Sequence, residues 1–226
     1  MIVESAPDRA NLVARIHGKD STLKPLMISS HTDVVPVEHE GWKYPPFSAE
    51  IAERCVWGRG ALDMKAKGAM DLGVFSAIVR AQAIPNRGLI LAAVADEEAG
   101  SEMGAKFMVE RHPELVRAGY VLNEVGGFTM FFGERKFYPI QVAEKGFVTV
   151  RMTTRGTPGH SSVPRLDSAI AQMAELICKL NRAPMRRRVT PLMRQLFERI
   201  GVSPEIETPI FRAMLSNTVV PTIVRA

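Results

Sequence analysis

Four short segments of this 226-residue chain carry histidine or carboxylate side chains where apolar runs end. The first is His31-Thr-Asp33, directly after Leu26-Met27-Ile28. A histidine followed two residues later by a carboxylate offers a metal ligand and its orienting partner. A histidine by itself at such a place is usually structural. The second is Asp63, in WGRGALDMK (57–65), where the glycines permit a tight turn between strand and helix. An ordinary helix N-cap would use the same aspartate. The third is Asp96-Glu97-Glu98, after the apolar run GLILAAVA. Three consecutive carboxylates repel one another, and a divalent cation is the economical counter-charge. An exposed acidic turn is the alternative. The fourth, Asn123-Glu124 before Gly126-Gly127, is weak by itself.

Together these segments offer one imidazole and several carboxylates but no thiolate. Such a donor set suits Zn²⁺, and also Mn²⁺ or Co²⁺. It holds more ligands than one ion needs, which points to two ions about 3.5 Å apart, bridged by a carboxylate and a hydroxide.

The elements that must position these groups follow from the hydrophobic pattern. Asn11–His17, Leu26–Ile28, Glu50–Trp57, Gly88–Ala95 and Tyr120–Leu122 read as strands, and Met64 to about Gln82 and Gly104–His112 as helices. GLILAAVA is almost continuously apolar, as expected of a strand covered on both faces. Alternating strands and helices predict an α/β layered domain with a mixed, largely parallel sheet flanked by helices, and such sheets build their sites at strand ends. Near residue 140 the pattern changes. Gly146–Thr154 alternates like an antiparallel strand, and a helix is expected over Arg165–Asn181 with Ile170, Met173, Leu176, Ile177 and Leu180 on one face. A domain boundary near Ala143 is predicted, giving units 1–142 and 143–226.

The motifs SSHTDVVP (29–36), WGRGALDMKAKGA (57–69), ADEEAGSEMGAKF (95–107), NEVGG (123–127) and TPGHSSVP (157–164) resemble the M20 metallopeptidase family in order and spacing, over nearly the whole chain. The look is closest to the branch of Gly-X carboxypeptidases and N-acyl amino acid hydrolases. The resemblance implies a metal-dependent hydrolase of peptide or N-acyl amino acid amide bonds that uses a metal-activated water. It implies two zinc ions per complete site, with cobalt or manganese possible. His31 and Glu124 match ligands of one metal, Asp63 the bridging ligand and Glu98 a ligand of the second. Glu97 matches the general base, Asp33 the residue that orients His31, and His160 the histidine that stabilises the oxyanion. Without the resemblance His160 reads as a cap for the following helix. The resemblance also implies that 1–142 is the N-terminal part of a catalytic zinc-binding domain. The segment 143–226 would then be part of an inserted, smaller α+β dimerisation (lid) domain through which two copies pair.

The family supplies a further histidine ligand late in its chain, and no histidine follows His160 here. The expectation is a fragment of a longer hydrolase, inactive by itself or acting as a metal-binding or dimerisation module.

Bulk properties narrow the remaining classes. With 46% hydrophobic and 23% charged residues the chain is too apolar for disorder. No run approaches the ~18 apolar residues that span a bilayer, and the N-terminus lacks the form of a signal peptide, so a cytoplasmic protein without a membrane partner is expected. Cys55 and Cys178 are too few for a disulfide framework and are expected to be buried. The net charge of +5 is concentrated in Met185–Arg199, where arginines alternate with apolar residues at helical spacing. An amphipathic helix with a solvated basic face is expected there, and no nucleic-acid partner.

Overall fold

The computed structural model describes residues 1–126, 128–160, 162–163, 165, 167–205 and 208–225. The chain divides into two compact units, Met1–Gly126 and Gly127–Ala226.

The first unit is built on a five-stranded mixed sheet. Its strands are β1 (Ile2–Ala6), β2 (Arg9–Ile16), β3 (Leu26–His31), β6 (Leu89–Val94) and β7 (Tyr120–Leu122), in the order β1-β2-β6-β3-β7. The pairs β1–β2 and β2–β6 are antiparallel, whereas β3 is parallel to both β6 and β7. Helix α1 (Ala66–Arg80) covers one face, and α2 (Ala105–Arg111) with α3 (Pro113–Val116) the other. The β6 side chains divide between these layers with the two-residue period of a strand. Leu89 and Leu91 pack with Ile28 and Phe75 of α1, while Ile90 packs with Val13 and Met108 of α2. That double covering explains why β6 is apolar throughout.

Two predicted elements are divided differently. The single strand expected over Glu50–Trp57 is a hairpin of β4 (Glu50–Ala52) and β5 (Cys55–Trp57), because Glu53 and Arg54 both take positive φ, the turn that suits strand twist. The helix expected from Met64 starts at Ala66. Asp63 (φ −114°, ψ 98°) and Met64 (φ −133°, ψ 35°) leave the helical region, so Asp63 sits on a kinked turn.

The second unit holds the hairpin β8 (Met130–Phe132) and β9 (Arg135–Phe137) and the helices α4 (Ala169–Arg182), α5 (Pro191–Ile200) and α6 (Pro209–Leu215). Its core joins Phe197, Ile200, Phe211 and Leu215, with Phe132 and Phe137 packed against them. α4 turns Met173, Leu176, Ile177 and Leu180 to one half-buried face, as its spacing predicts, but Ile170 is exposed. Of the amphipathic helix expected over Met185–Arg199, only α5 forms, with Phe197 and Ile200 buried and Arg194 and Arg199 exposed. Arg186, Arg187 and Arg188 precede it outside any helix, because Pro191 lacks the N–H that would continue a helix through it. Gly146–Thr154, expected as a strand, forms none, and Phe147 and Val148 are 81% and 80% exposed. Alternation makes a strand only where a neighbour supplies a ladder and an apolar face. Both cysteines are exposed rather than buried, Cys55 on a two-stranded hairpin and Cys178 on the uncovered side of α4.

Candidate metal centre

The parallel strands β3, β6 and β7 end at the same edge of the sheet, and their exits carry the polar groups. His31 is the last residue of β3 and pairs in register with Val94, the last of β6. Asp96, Glu97 and Glu98 follow β6, and Glu124 lies two residues beyond β7. Asp63 arrives from the turn before α1. Met64 anchors that turn, since its buried sulfur accepts the His31 backbone N–H at 3.3 Å. Gly60 allows the approach: its φ is +80°, and a Cβ there would lie 2.5 Å from Val34 Cγ1.

The imidazole of His31 is buried, and the carboxylates converge on it. Nε2 lies 3.0 Å from Asp63 Oδ1 and 3.5 Å from Glu124 Oε2. Two sets of potential ligand atoms each fall within 4.8 Å of one another: His31 with Glu97 and Glu124, and His31 with Asp63 and Glu98. Zinc bonds of roughly 2.0–2.2 Å in a tetrahedron would separate ligand atoms by about 3.4 Å. The 3.0 and 3.5 Å separations bracket that value. The donor set therefore fits a divalent cation of the zinc type.

Asp33 contributes in two ways. Its carbonyl oxygen lies 3.1 Å from His31 Nδ1, closer than its own carboxylate at 3.6 Å. The main chain thus makes the closer contact that orients the ring. The carboxylate instead accepts the backbone N–H groups of Glu97 and Glu98, each at 3.0 Å. It therefore fixes the acidic turn relative to β3.

The electrostatics are those of carboxylates crowded around a buried imidazole. Burial raises the Glu97 carboxyl above its ordinary value, and the Glu124 charge adds to this. Burial also raises Glu124, and although the His31 charge opposes the shift, Asp63 and Glu98 reinforce it. For His31, burial acts downward, but the Asp63 hydrogen bond, the Asp33 carbonyl and the charges of Glu124 and Glu97 outweigh it, so its pKa is raised. A cation would relieve all three.

His160 belongs to the second unit, where its Nδ1 accepts the Ser162 backbone N–H at 3.2 Å and lies 2.7 Å from Ser162 Oγ. Its neighbours Ser161 and Pro164 lie outside the described residues. One supporting residue is not legible in any motif. Asn11, fully buried in β2, accepts the Ala95 N–H at 3.0 Å and donates to the Met103 carbonyl at 3.0 Å, so it holds both flanks of the acidic turn. A polar residue within the apolar stretch of β2 was the available signal.

Residues 27–205 match the profile of peptidase family M20/M25/M40. The chain is 33% identical over 175 residues to the N-fatty-acyl-amino acid synthase/hydrolase PM20D1 of Mus musculus, covering 75% of this chain and 35% of that protein. It is 34% identical over 184 residues to aminoacylase-1 of Homo sapiens, covering 77% and 42%. With a probable carboxypeptidase S-like 2 of Dictyostelium discoideum it shares 29% over 222 residues, covering 92% and 40%. A solved M20 family metallo-carboxypeptidase, Sso-CP2 of Sulfolobus solfataricus, superposes with a TM-score of 0.44 at 29% identity, over 52% of this chain and 26% of the other. The chain thus spans well under half the length of these relatives. A profile match over most of its residues, through the segments that build the centre, makes this chain a member of the M20/M25/M40 peptidase family.

Proposed function

We propose that this chain supplies the metal-binding core of a hydrolase that cleaves peptide or N-acyl amino acid amide bonds. The observation that carries the reading is the convergence of Asp63, Glu97, Glu98 and Glu124 on the buried imidazole of His31. The names of the relatives, an aminoacylase, a carboxypeptidase and an acyl-amino acid hydrolase, share this bond type.

In this reading His31, Asp63 and Glu124 would hold one cation, and Asp63 and Glu98 would supply ligands to a second. Zinc would be the metal, with cobalt or manganese as substitutes. Bound there, it would acidify a water molecule and polarise the scissile carbonyl. Glu97 accepts the proton of that water and passes it to the departing nitrogen. Its raised pKa suits a group that must both take up and release a proton. Asp33 keeps the His31 ring and the Glu97–Glu98 turn in register. His160 donates to the developing oxyanion, from a smaller domain, 143–226, that also pairs two copies.

The test uses the purified chain. Glu97→Gln retains metal and abolishes hydrolysis of N-acyl amino acids and short peptides. Full activity in that variant would remove Glu97 from the general-base role. Failure of the unaltered chain to take up zinc, cobalt or manganese would remove the metal centre itself.

A further inference from the structure

The ladder between β3 and β7 is short. Its last paired residues are Ile28 and Leu122, and the two site residues lie beyond it, His31 three residues past Ile28 and Glu124 two past Leu122. Where the ladder stops, a side chain from a third element takes over. Lys67, in the first turn of α1, sends Nζ to the Ser29 carbonyl at 2.8 Å and to the Leu122 carbonyl at 3.4 Å. Its third contact is Asp71 Oδ2, one helical turn further along α1, at 2.5 Å. An ammonium has three donors and no acceptor, and each donor here has one partner.

We propose that Lys67 is a positioning residue for the metal centre, a clamp that sets the distance between His31 and Glu124. Ser29 and Leu122 each lie two residues before the site residue of their strand, so one ammonium governs both exits. The same side chain belongs to the helix that follows Asp63, which ties the third converging segment to the other two. Helix and strand are already close at this point: a Cβ on Gly68 would lie 3.1 Å from Ser30 Oγ.

Charge explains why the clamp needs Asp71. An uncompensated ammonium would oppose a cation at the neighbouring centre. Paired with Asp71, Lys67 presents donors to the strands with little net charge. The two side chains are only 23% and 14% exposed. An ion pair this sheltered loses much of its Coulomb gain to desolvation and adds little stability over apolar packing. What it contributes is geometry. Glu124 gains most, because β7 is three residues long, exposed throughout and paired with β3 alone.

The inference of a metal effect rests on the proposed centre; the clamp itself does not. The experiment therefore has two readouts on the unaltered chain, Lys67→Met and Lys67→Arg. Amide hydrogen exchange without metal reports on Val121–Asn123, and Co²⁺ titration followed by visible absorption reports on ligand geometry and affinity. Lys67→Met speeds exchange in β7 while β6 stays protected. It also weakens Co²⁺ binding about 10-fold, the range for groups that orient ligands, and changes the spectrum. Lys67→Arg recovers part of both, because it keeps the charge and donors. Exchange, affinity and spectrum all unchanged in Lys67→Met would overturn the clamp. If the unaltered chain takes up no Co²⁺, the metal centre is refuted, and hydrogen exchange alone still decides the clamp.

Discussion

The side-chain oxygen of Asn11 accepts the backbone N–H of Ala95 at 3.0 Å, just past the end of the β2–β6 ladder. A buried amide thus continues the sheet by one bond and holds the start of Asp96-Glu97-Glu98. Its own N–H₂ reaches the carbonyls of Met103 (3.0 Å) and Val3 (3.4 Å), so no part of the group is idle. Replacing Asn11 with Leu leaves the Ala95 N–H and the Met103 carbonyl without these partners. The expected cost is about 1–3 kcal/mol, read by denaturant unfolding. A change within ~0.5 kcal/mol would show that water or a shifted backbone replaces the amide.

Asp33→Ala removes the acceptor for two backbone N–H groups while leaving the His31-facing carbonyl in place. Metal affinity is expected to fall about 10- to 100-fold, with little change in the secondary structure of the sheet. Isothermal titration with Zn²⁺ measures it. Unaltered affinity would mean that Glu97 and Glu98 hold their turn without Asp33.

Acidity should act in opposite directions on the free and the metal-loaded chain. The folded-state pKa values of His31, Glu97 and Glu124 are all raised. For each, the stabilising contribution is complete below the ordinary value, 6.5 for histidine and 4.5 for glutamate, and is lost as pH rises through the folded value. Metal-free chain therefore gains stability from His31 as pH falls toward 6.5, and from Glu97 and Glu124 as it falls further toward 4.5. The metal competes with the same protons, so the rise in Tm on adding Zn²⁺ shrinks over that interval. A Zn²⁺-induced rise that grows on acidification would contradict this.

Asp167 has the opposite sign. Arg165 donates to it at 2.9 Å and the Thr157 N–H at 3.2 Å, and these bonds hold its pKa down, from 3.8 to about 2. Its contribution is present above pH 3.8 and is lost as pH falls through about 2. The carboxyl carbon shift should titrate near that lower value. In Arg165→Gln the midpoint moves up toward 3.8.

Gly104 carries a packing constraint. A Cβ there would stand 1.7 Å from the Ala95 carbonyl oxygen, a backbone atom that cannot swing aside. Gly104→Ala should destabilise the first unit by roughly 1–3 kcal/mol or more and reduce metal affinity through the displaced acidic turn. Ile90→Ala, a cavity at a fully buried position far from any ligand, should cost about 2–5 kcal/mol. Its metal affinity should remain as before at temperatures where it is folded.

Local sequence determined the strands that matter most. The unbroken apolar run of β6 and the short run of β3 could be read because two covering layers demand hydrophobic residues at every position. Carboxylates and a histidine where those runs stop marked the candidate site, since polar groups at strand exits have no place in the core. The tertiary structure decided what short-range pattern cannot carry. It placed Asn11 and Lys67 as supports, gave the His31 ring the Asp33 carbonyl as its closer partner, and shifted the start of α1 from Met64 to Ala66. It also left Gly146–Thr154 without a ladder and both cysteines exposed. These outcomes depend on which distant segment arrives alongside, and that is a property of the assembled layers rather than of the local run of residues.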